Sequence, residues 1–264
     1  MLLPLKPYSK KYYFDKTKRL EVVTIPTRSD NYTFLVLNEQ KDKAILIDSA
    51  DHTIVLDTLE HLKLKLECIL LTHHHFDHVD GLDVILSKHP NANLYCSKTD
   101  ANRGLFSSKS TEVKGTDQLD LFGEPVSIID SSGHTISHLS YYFTHSEALF
   151  CGDTLFSLGC GRVFEKKPNI LEIYFQTMKR LKHSVKPEAL VFCAHEYTSD
   201  NLIFCEKENF VVDQARVELL ERLLKNNFEK TVPSDFSFEL QHNPFLNAPS
   251  SEQLKRIRTL KDNF

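Results

Sequence analysis

Apolar and polar positions along the chain change character at about residue 195. Before that point, short runs rich in Val, Ile, Phe and Tyr have the length and composition of β-strands. These runs cover residues 20–27 (LEVVTIPT), 32–37 (YTFLVL), 44–48 (AILID), 68–72 (CILLT), 93–96 (NLYC), 125–130 (PVSIID), 139–144 (LSYYFT), 147–153 (EALFCGD) and 189–195 (ALVFCAH). Segments with helical spacing separate several of them, so we predict an α/β domain.

Helical spacing of apolar residues occurs at residues 53–66, 81–88 and 168–183 within this domain. After His195 the chain has two more helical segments, at residues 211–230 and 250–264, and no further strand signal. The pattern therefore predicts a catalytic domain over residues 20–196 and a smaller helical, substrate-binding domain over residues 197–264.

An arm of residues 1–19 precedes the first clear strand. It has six cationic residues, Lys6, Lys10, Lys11, Lys16, Lys18 and Arg19, and one anionic residue, Asp15. We interpret it as a solvated basic arm or an additional edge strand. Organelle targeting is less favoured, because targeting peptides are rich in Arg and Ser rather than Lys.

Composition favours a cytoplasmic protein that does not bind a membrane or nucleic acid. No run approaches the roughly 18 apolar residues of a membrane span. The six cysteines are dispersed without a C-x-x-C pair, which is typical of reduced thiols. A net charge of −4 argues against general binding to polyanions. We expect a monomer that acts on a small molecule.

Residues 72–81, THHHFDHVDG, contain four of the thirteen histidines and follow an apolar run. A metalloprotease helix of the H-E-x-x-H type would need Glu where His75 stands. The EF-hand pattern of alternating oxygen ligands is also absent. If the backbone stays extended, His73, His75 and Asp77 share one face, and His78 follows at the bend into the next helix.

Further ligand-type residues recur at strand ends downstream. His134 follows a strand and a Gly turn, Asp153 follows the strand of residues 147–153, and His195 follows the strand of residues 189–195. Imidazole and carboxylate groups suit zinc, iron or manganese, and a catalytic site needs more ligands than one loop offers. The sequence therefore predicts one metal site at the ends of several strands.

The motif T-H-x-H-x-D-H, here Thr72, His73, His75, Asp77 and His78, resembles that of the metallo-β-lactamase superfamily. Residues 152–165 (GDTLFSLGCGRVFE), 194–198 (AHEYT) and 243–246 (NPFL) are similar to the hydroxyacylglutathione hydrolase family, also called glyoxalase II. This resemblance implies a four-layered αββα sandwich followed by a smaller α-helical C-terminal domain.

The resemblance also implies two divalent metal ions, expected to be zinc, with iron or manganese as alternatives. One ion would be held by His73, His75 and His134, the other by Asp77, His78 and His195, with Asp153 bridging both. Asp77 and Asp153 would be the catalytic carboxylates. His74 and Phe76 would point away from the metals, and His138 would support the site without binding metal.

Glutathione would be held by Arg162, Tyr197, Arg258 and Lys261. A mildly acidic protein needs local cations to hold an anionic peptide conjugate, which agrees with this set. The chain departs from the family at three points: Ser137 replaces a Gly, Phe164 replaces a Tyr that often holds glutathione, and IDSAD (residues 47–51) replaces Asp-Pro-Gly.

The expected reaction is hydrolysis of S-D-lactoylglutathione or a related S-2-hydroxyacylglutathione, in methylglyoxal detoxification. A metal-bound hydroxide would attack the thioester carbonyl. The leaving thiolate needs no strong general acid, because the pKa of its conjugate acid is only about 8.5–9. A cysteine nucleophile is disfavoured, because the histidines that could serve as its base are claimed by metal.

Two alternatives stay open. The first is a persulfide dioxygenase on the same fold, which would use a single iron; the second-site residues Asp77, His78 and His195 favour two metals instead. The second alternative is a non-catalytic module that binds thiol conjugates or metal.

Overall fold

The computed structural model describes Leu3 and residues 5–104, 110–210 and 213–264. Within these residues the strands are β1 Tyr13–Lys16, β2 Glu21–Thr27, β3 Asn31–Leu37, β4 Lys43–Ile47, β5 Lys65–Leu70, β6 Asn93–Ser97, β7 Ser110–Val113, β8 Gln118–Leu121, β9 Glu124–Asp130, β10 Leu139–Phe143, β11 Ala148–Gly152, β12 Leu155–Phe156, β13 Gly159–Cys160, β14 Leu190–Cys193 and β15 Ser234–Asp235. The helices are α1 His52–His61, α2 Phe76–Val79, α3 Leu82–Lys88, α4 Lys98–Ala101, α5 Ile170–Ser184, α6 Thr198–Lys207, α7 Asp213–Lys225, α8 Phe236–His242 and α9 Ser251–Asp262.

Two mixed sheets form the centre of the molecule. The first has the order β1-β2-β3-β4-β5-β6-β7, antiparallel up to β4 and parallel from β4 to β7. The second has the order β15-β14-β11-β10-β9-β8, in which only β11 and β14 are parallel. A third sheet of two strands pairs β12 with β13.

Successive side chains along the strands of the first sheet point to opposite faces, and each face packs in its own hydrophobic core. Val22 and Phe34 point into the core that also contains the second sheet, whereas their neighbours Val23 and Leu35 pack with α1 and α3. Helix α5 covers the second sheet through a stripe formed by Tyr174, Met178 and Leu181. The layers are therefore helix, sheet, sheet and helix, which confirms the fold expected from the resemblance.

The helix predicted over residues 53–66 is too long. Helix α1 ends at His61, and Lys63 has a positive φ of 55°, which an α-helix cannot accommodate. The apolar residues Leu64 and Leu66 then belong to the approach and start of β5, paired with β4. A continuous apolar pattern crosses this boundary, so periodicity alone does not reveal it.

The sequence pattern does not predict β7, β8 and β15, nor the two-residue strands β12 and β13. Strands β7 (STEV) and β8 (QLDL) are largely polar and lie at sheet edges, where only one neighbour pairs with them. Strand β15 contradicts the absence of strand signal after His195, because Ser234–Asp235 pairs with Leu190 and Val191 of β14. The C-terminal part of the chain is thus hydrogen-bonded to the second sheet. The boundary at residue 196 stays a prediction.

The two ends of the chain both return to the sandwich. In the basic arm, Tyr13–Lys16 forms the edge strand β1. Met1, Leu2 and Pro4 of the arm lie outside the described residues. The same holds for Val211 and Val212 of the helical segment predicted over residues 211–230. Ser250 is the N-cap residue of α9, since its hydroxyl accepts from the Gln253 backbone N–H, and this helix packs on α5. None of the helices in the described ranges is long and apolar enough to span a membrane.

The ring of Phe150 on β11 joins the two sheets and provides a test of this packing. It stacks on Phe192 at 4.9 Å and meets Phe34 of the first sheet edge-on at 5.5 Å. Because this buried ring would leave a cavity, we expect Phe150→Ala to lower the free energy of unfolding by about 3–5 kcal/mol. Urea titration measures the change. The control Phe14→Ala removes a ring that is 50% exposed and should cost less than about 1 kcal/mol; equal losses would contradict the assigned core.

Candidate metal centre

Loops from both sheets converge at one rim of the sandwich. The histidine loop follows β5, and the remaining candidate residues follow β9, β11 and β14. Three groups of side chains there have ligand atoms within 4.8 Å of one another: His73, His75 and His134; His73, His78 and Asp153; and Asp77, His78 and His195. All seven residues singled out as metal ligands in the sequence therefore lie together.

The local backbone differs from the extended run expected over residues 73–77. Only His73 and His75 lie on extended chain, because α2 begins at Phe76, with His75 as its N-cap residue. Asp77 and His78 are consecutive residues of this single turn. Asp77 thus reaches the centre from a helix rather than from a strand face.

The first half of the centre consists of three imidazoles and one carboxylate oxygen. His75 Nδ1 lies 3.0 Å from His73 Nε2 and 2.9 Å from His134 Nε2. His134 Nε2 is 3.4 Å from Asp153 Oδ2. These four atoms surround one small volume.

The second half uses the other oxygen of the same carboxylate. Asp153 Oδ1 lies 3.3 Å from both His78 Nε2 and His195 Nε2. Asp77 Oδ2 is 3.4 Å from His195 Nε2 and 3.6 Å from His78 Nε2. Asp153 therefore stands between the two halves and presents one oxygen to each.

This donor set fits divalent cations. Ligand atoms bound at ~2.0–2.1 Å in a tetrahedron lie about 3.3 Å apart, which is close to the separations in both halves. Two of the atoms, His78 Nε2 and Asp153 Oδ1, are buried without a hydrogen-bond partner. Buried polar atoms are rarely left unsatisfied, so these two atoms are suited to a cation.

Burial and charge set the protonation of these histidines. Burial lowers the pKa of His75 to about 4 and holds that of His73 well below its usual value, so both rings are neutral, as metal ligands must be. Burial also acts on His78, but the negative charges of Asp153 and Asp48 outweigh it and raise its pKa to about 10. The protein without metal keeps a proton on His78 that a cation would replace.

Carboxylates outside the centre hold two of the rings. Asp48 accepts from the Thr72 backbone N–H at 2.8 Å and lies 2.8 Å from His78 Nδ1. Asp30 lies 2.8 Å from His195 Nδ1. These contacts fix the ring orientation, with Nε2 toward the centre. Neither carboxylate is predicted from the sequence, because a position beside a strand, after β4 for Asp48 and before β3 for Asp30, does not by itself indicate which side chain it will meet.

Three neighbouring residues have the supporting positions expected of them. His138 Nε2 accepts from the Asp153 backbone N–H at 3.2 Å. His74 Nδ1 turns to Asp100 at 2.9 Å, and the Phe76 side chain is 65% exposed. Gly152 is required beside them, because its φ is +48° and an added Cβ would lie 2.6 Å from the Thr72 hydroxyl oxygen.

A pocket of about 360 Å³ opens beside the first half of the centre. Its lining includes His134 and Asp153 together with all four predicted glutathione-binding residues, Arg162, Tyr197, Arg258 and Lys261. Arg258 is only 7% exposed. Its guanidinium donates to the Cys160 carbonyl oxygen at 2.8 Å. Lys261 Nζ donates to the Asp200 carbonyl oxygen at 3.0 Å.

Two positions where the chain departs from the family border this site. The ring of Phe164 is 58% exposed and meets the rings of His75 and His134 edge-on, each at 5.6 Å. Ser137 donates to Asp100 Oδ1 at 2.7 Å. Phe164 thus forms an apolar edge at the mouth of the centre, and Ser137 ties the His134 loop to α4.

The cysteines near the centre are unsuited to act as nucleophiles. Cys151 and Cys160 are buried, and burial raises the pKa of both thiols. The thiolate is the reactive form, so neither residue is activated.

Comparisons with known proteins agree on the fold and the family. The family model described as the metallo-β-lactamase superfamily matches residues 26–195. A hydroxyacylglutathione hydrolase of Actinobacillus pleuropneumoniae serotype 5b is 40% identical over 249 residues, which cover 93% of this chain and 100% of the relative. Another, from Photobacterium profundum, is 38% identical over 241 residues, 90% of each protein. The crystal structure of ETHE1 from Myxococcus xanthus has a similar fold, with a TM-score of 0.66, 19% identity, and coverage of 94% of this chain and 89% of that one.

Asp48 offers a test of the second half of the centre that leaves every candidate ligand in place. Because Asp48→Asn weakens the anchor of His78, we expect a metal affinity about 10–100-fold lower there. Competition with a chelator, followed by elemental analysis, measures it. Asp57→Asn on the exposed side of α1 is the matched control and should retain the wild-type metal content. If both variants retained the same amount of metal after competition with the chelator, the role of Asp48 would be contradicted.

Proposed function

Because this chain belongs to the metallo-β-lactamase superfamily and, within it, to the hydroxyacylglutathione hydrolases, we propose that it hydrolyses S-2-hydroxyacylglutathione thioesters, S-D-lactoylglutathione in particular, in methylglyoxal detoxification. The products are the 2-hydroxy acid and glutathione. One observation supports this assignment most strongly: a carboxylate shared between two groups of imidazoles lies in the same pocket as three cationic side chains.

In this proposal the centre holds two divalent metal ions, expected to be zinc. His73, His75 and His134 would hold the first ion, and Asp77, His78 and His195 would hold the second. Asp153 would bridge them, since its Oδ2 lies on the side of His134 and its Oδ1 on the side of His78 and His195. The buried, unpartnered atoms of His78 and Asp153 support this assignment.

Such a metal pair supplies a hydroxide from water near neutral pH and polarises the carbonyl of the thioester. The protein contributes the geometry. Asp77 and Asp153 supply the carboxylates that would hold the two ions and their water, and Asp48 and Asp30 fix the orientation of the His78 and His195 rings. The thiolate leaves without a strong general acid, because its conjugate acid has a pKa of only about 8.5–9 and the anion is therefore a good leaving group.

Local charge explains how the pocket holds the thiol conjugate. The glutathione moiety carries a net negative charge, whereas the whole protein has a net charge of −4. Arg162, Arg258 and Lys261 bring three positive charges to the pocket, of which Asp262 pairs with the two arginines, so a net positive charge remains among these four side chains. Tyr197 forms the remaining contact; its ring stacks on His195 with centroids 4.7 Å apart. The acyl group is thereby directed toward the centre and the peptide toward α9.

A mononuclear iron dioxygenase is the competing assignment on this fold. It requires only one of the two groups of ligands, whereas this chain has Asp77, His78 and His195 as a second group next to the first. The two assignments differ in metal per chain and in oxygen uptake. One iron per chain with oxygen consumption would support the dioxygenase.

Thiol release from S-D-lactoylglutathione tests the proposal directly. The metal-loaded protein should release glutathione, and chelation followed by addition of zinc should abolish and then restore the activity. Asp153→Asn removes the bridging charge, so kcat/KM should fall by about 100-fold or more, because metal-assisted polarisation is worth several kcal/mol. Turnover by the variant at the wild-type rate would reject the assignment.

Lys261 tests the cationic part of the pocket. We expect Lys261→Met to raise KM about 10-fold or more, because a charge-assisted contact with the peptide is lost. The defect should shrink as salt rises, since salt screens the wild-type attraction. Lys255→Met on the exposed side of the same helix is the control and should leave KM unchanged. Similar effects of both substitutions would point to general charge rather than a binding site.

A further inference from the structure

The basic arm is the feature of the sequence that the proposed function leaves unused. It lies before residue 26, where the match to the superfamily begins. In the structure the described part of its backbone lies against the domain, although most of its lysine side chains are exposed. Leu3 is buried in the main core, and its backbone N–H donates to the Ser199 hydroxyl at 3.1 Å, in the first turn of α6. The Lys6 N–H donates to the Phe228 carbonyl oxygen at 2.7 Å.

A relay of hydrogen bonds connects the arm to the pocket. The Tyr8 hydroxyl donates to the Tyr32 hydroxyl at 2.9 Å, and Tyr32 donates to Glu196 Oε2 at 2.8 Å. The same Glu196 oxygen accepts from the Thr231 backbone N–H at 2.7 Å. Glu196 therefore accepts hydrogen bonds from two directions: from Tyr32, which is bonded to the arm, and from Thr231 in the C-terminal part of the chain.

Glu196 lies in the chain between a candidate metal ligand and a residue of the pocket. It follows the candidate ligand His195 and precedes Tyr197, whose ring stacks on His195. The next turn, the start of α6, supplies Asp200 and Asn201 to the pocket. We call residues 196–201 the pocket wall. The arm reaches this wall at two points, directly where Leu3 donates to Ser199 and indirectly at Glu196, through the hydrogen bonds from Tyr8 to Tyr32 and from Tyr32 to Glu196.

Charged and polar contacts fasten the arm to the segment behind the wall. Ser9 donates to Glu229 Oε1 at 2.7 Å, and the Tyr13 hydroxyl donates to Glu229 Oε2. Lys230 is 2% exposed, and its Nζ donates to Asp15 Oδ1 at 2.6 Å. A buried ammonium without its partner would be costly, so this pair holds the arm in one position.

We propose that Leu3 and residues 5–16 form a strap that positions the pocket wall for the thiol conjugate, with Tyr8 and Glu196 as positioning residues. The identity of the conjugate rests on the proposed function. The strap contacts the first turn of α6 through Leu3 and is linked through Tyr32 to Glu196, the residue next to Tyr197, so a loosened strap leaves the wall less ordered before binding. The wall must then become ordered when the conjugate binds, and the entropic cost of this ordering lowers the binding affinity.

The test uses Tyr8→Phe in the metal-loaded, full-length protein. This substitution removes one hydroxyl group and keeps the ring. We expect the Kd for glutathione, measured by calorimetry, and the KM for the thioester to rise about threefold to fivefold. The kcat and the metal content per chain should stay at wild-type values, because no candidate ligand moves. Tyr12→Phe is the matched control: Tyr12 lies on the same arm, but its ring contacts Phe14 and His61.

A second variant, Glu229→Gln, loosens the strap from the opposite side and should shift Kd and KM in the same direction. Lower thermal stability of both variants with unchanged Kd and KM would overturn the proposal, since the arm would then serve stability alone. Loss of metal would overturn it as well, since the arm would act on His195. If the wild-type protein binds glutathione but cleaves no thioester, the proposed function fails. The Kd values of the wild type and the two variants for glutathione would still show whether the strap positions the pocket wall.

Discussion

The carboxylate of Asp153 is the group on which the rest of the centre depends. It is buried between His134 on one side and His78 and His195 on the other, and Oδ1 has no hydrogen-bond partner. A buried charge is tolerated only when opposite charge compensates it. Its pKa is held well below the usual value: burial would raise it, but the charges of His195 and His78 outweigh that effect. The imidazoles of His78 and His195, each 3.3 Å from Oδ1, therefore supply the opposite charge that lets this carboxylate stay ionised between the two groups of ligands.

The sandwich meets this requirement by ending strands of both sheets at one rim. The histidine loop leaves the first sheet after β5, whereas Asp153 and His195 leave the second sheet after β11 and β14. The hydrogen bond from the Asp153 backbone N–H to His138 holds the chain where it emerges. Rigid strands thus fix the origins of the loops, and contacts outside the centre fix the rings. This division of roles explains why few of the candidate ligands lie within strands or helices.

The substrate pocket has a different origin from the centre. Its cations come from α9 and from the loop after β13, and its wall comes from the start of α6. Strand β15 ties the C-terminal segment to β14, immediately before His195. The arm reaches the same region through Tyr8 and Tyr32. Both ends of the chain therefore bear on the short stretch that joins the metal centre to the pocket.

Local properties of the chain are enough to predict an α/β domain and the seven ligand-type residues, because strand composition and the spacing of His73, His75 and His78 can be read without the fold, whereas the four layers are expected only from the family resemblance. They do not reveal that Asp77 enters from the helix α2, nor the polar edge strands β7, β8 and β15, because pairing with a distant strand overrides weak local preference. They also miss Asp48 and Asp30 as supports. The Asp30 carboxylate meets His195 across 165 positions of chain, and such a contact exists only once the two sheets are packed. These contacts depend on distances that folding creates, and no local pattern encodes them.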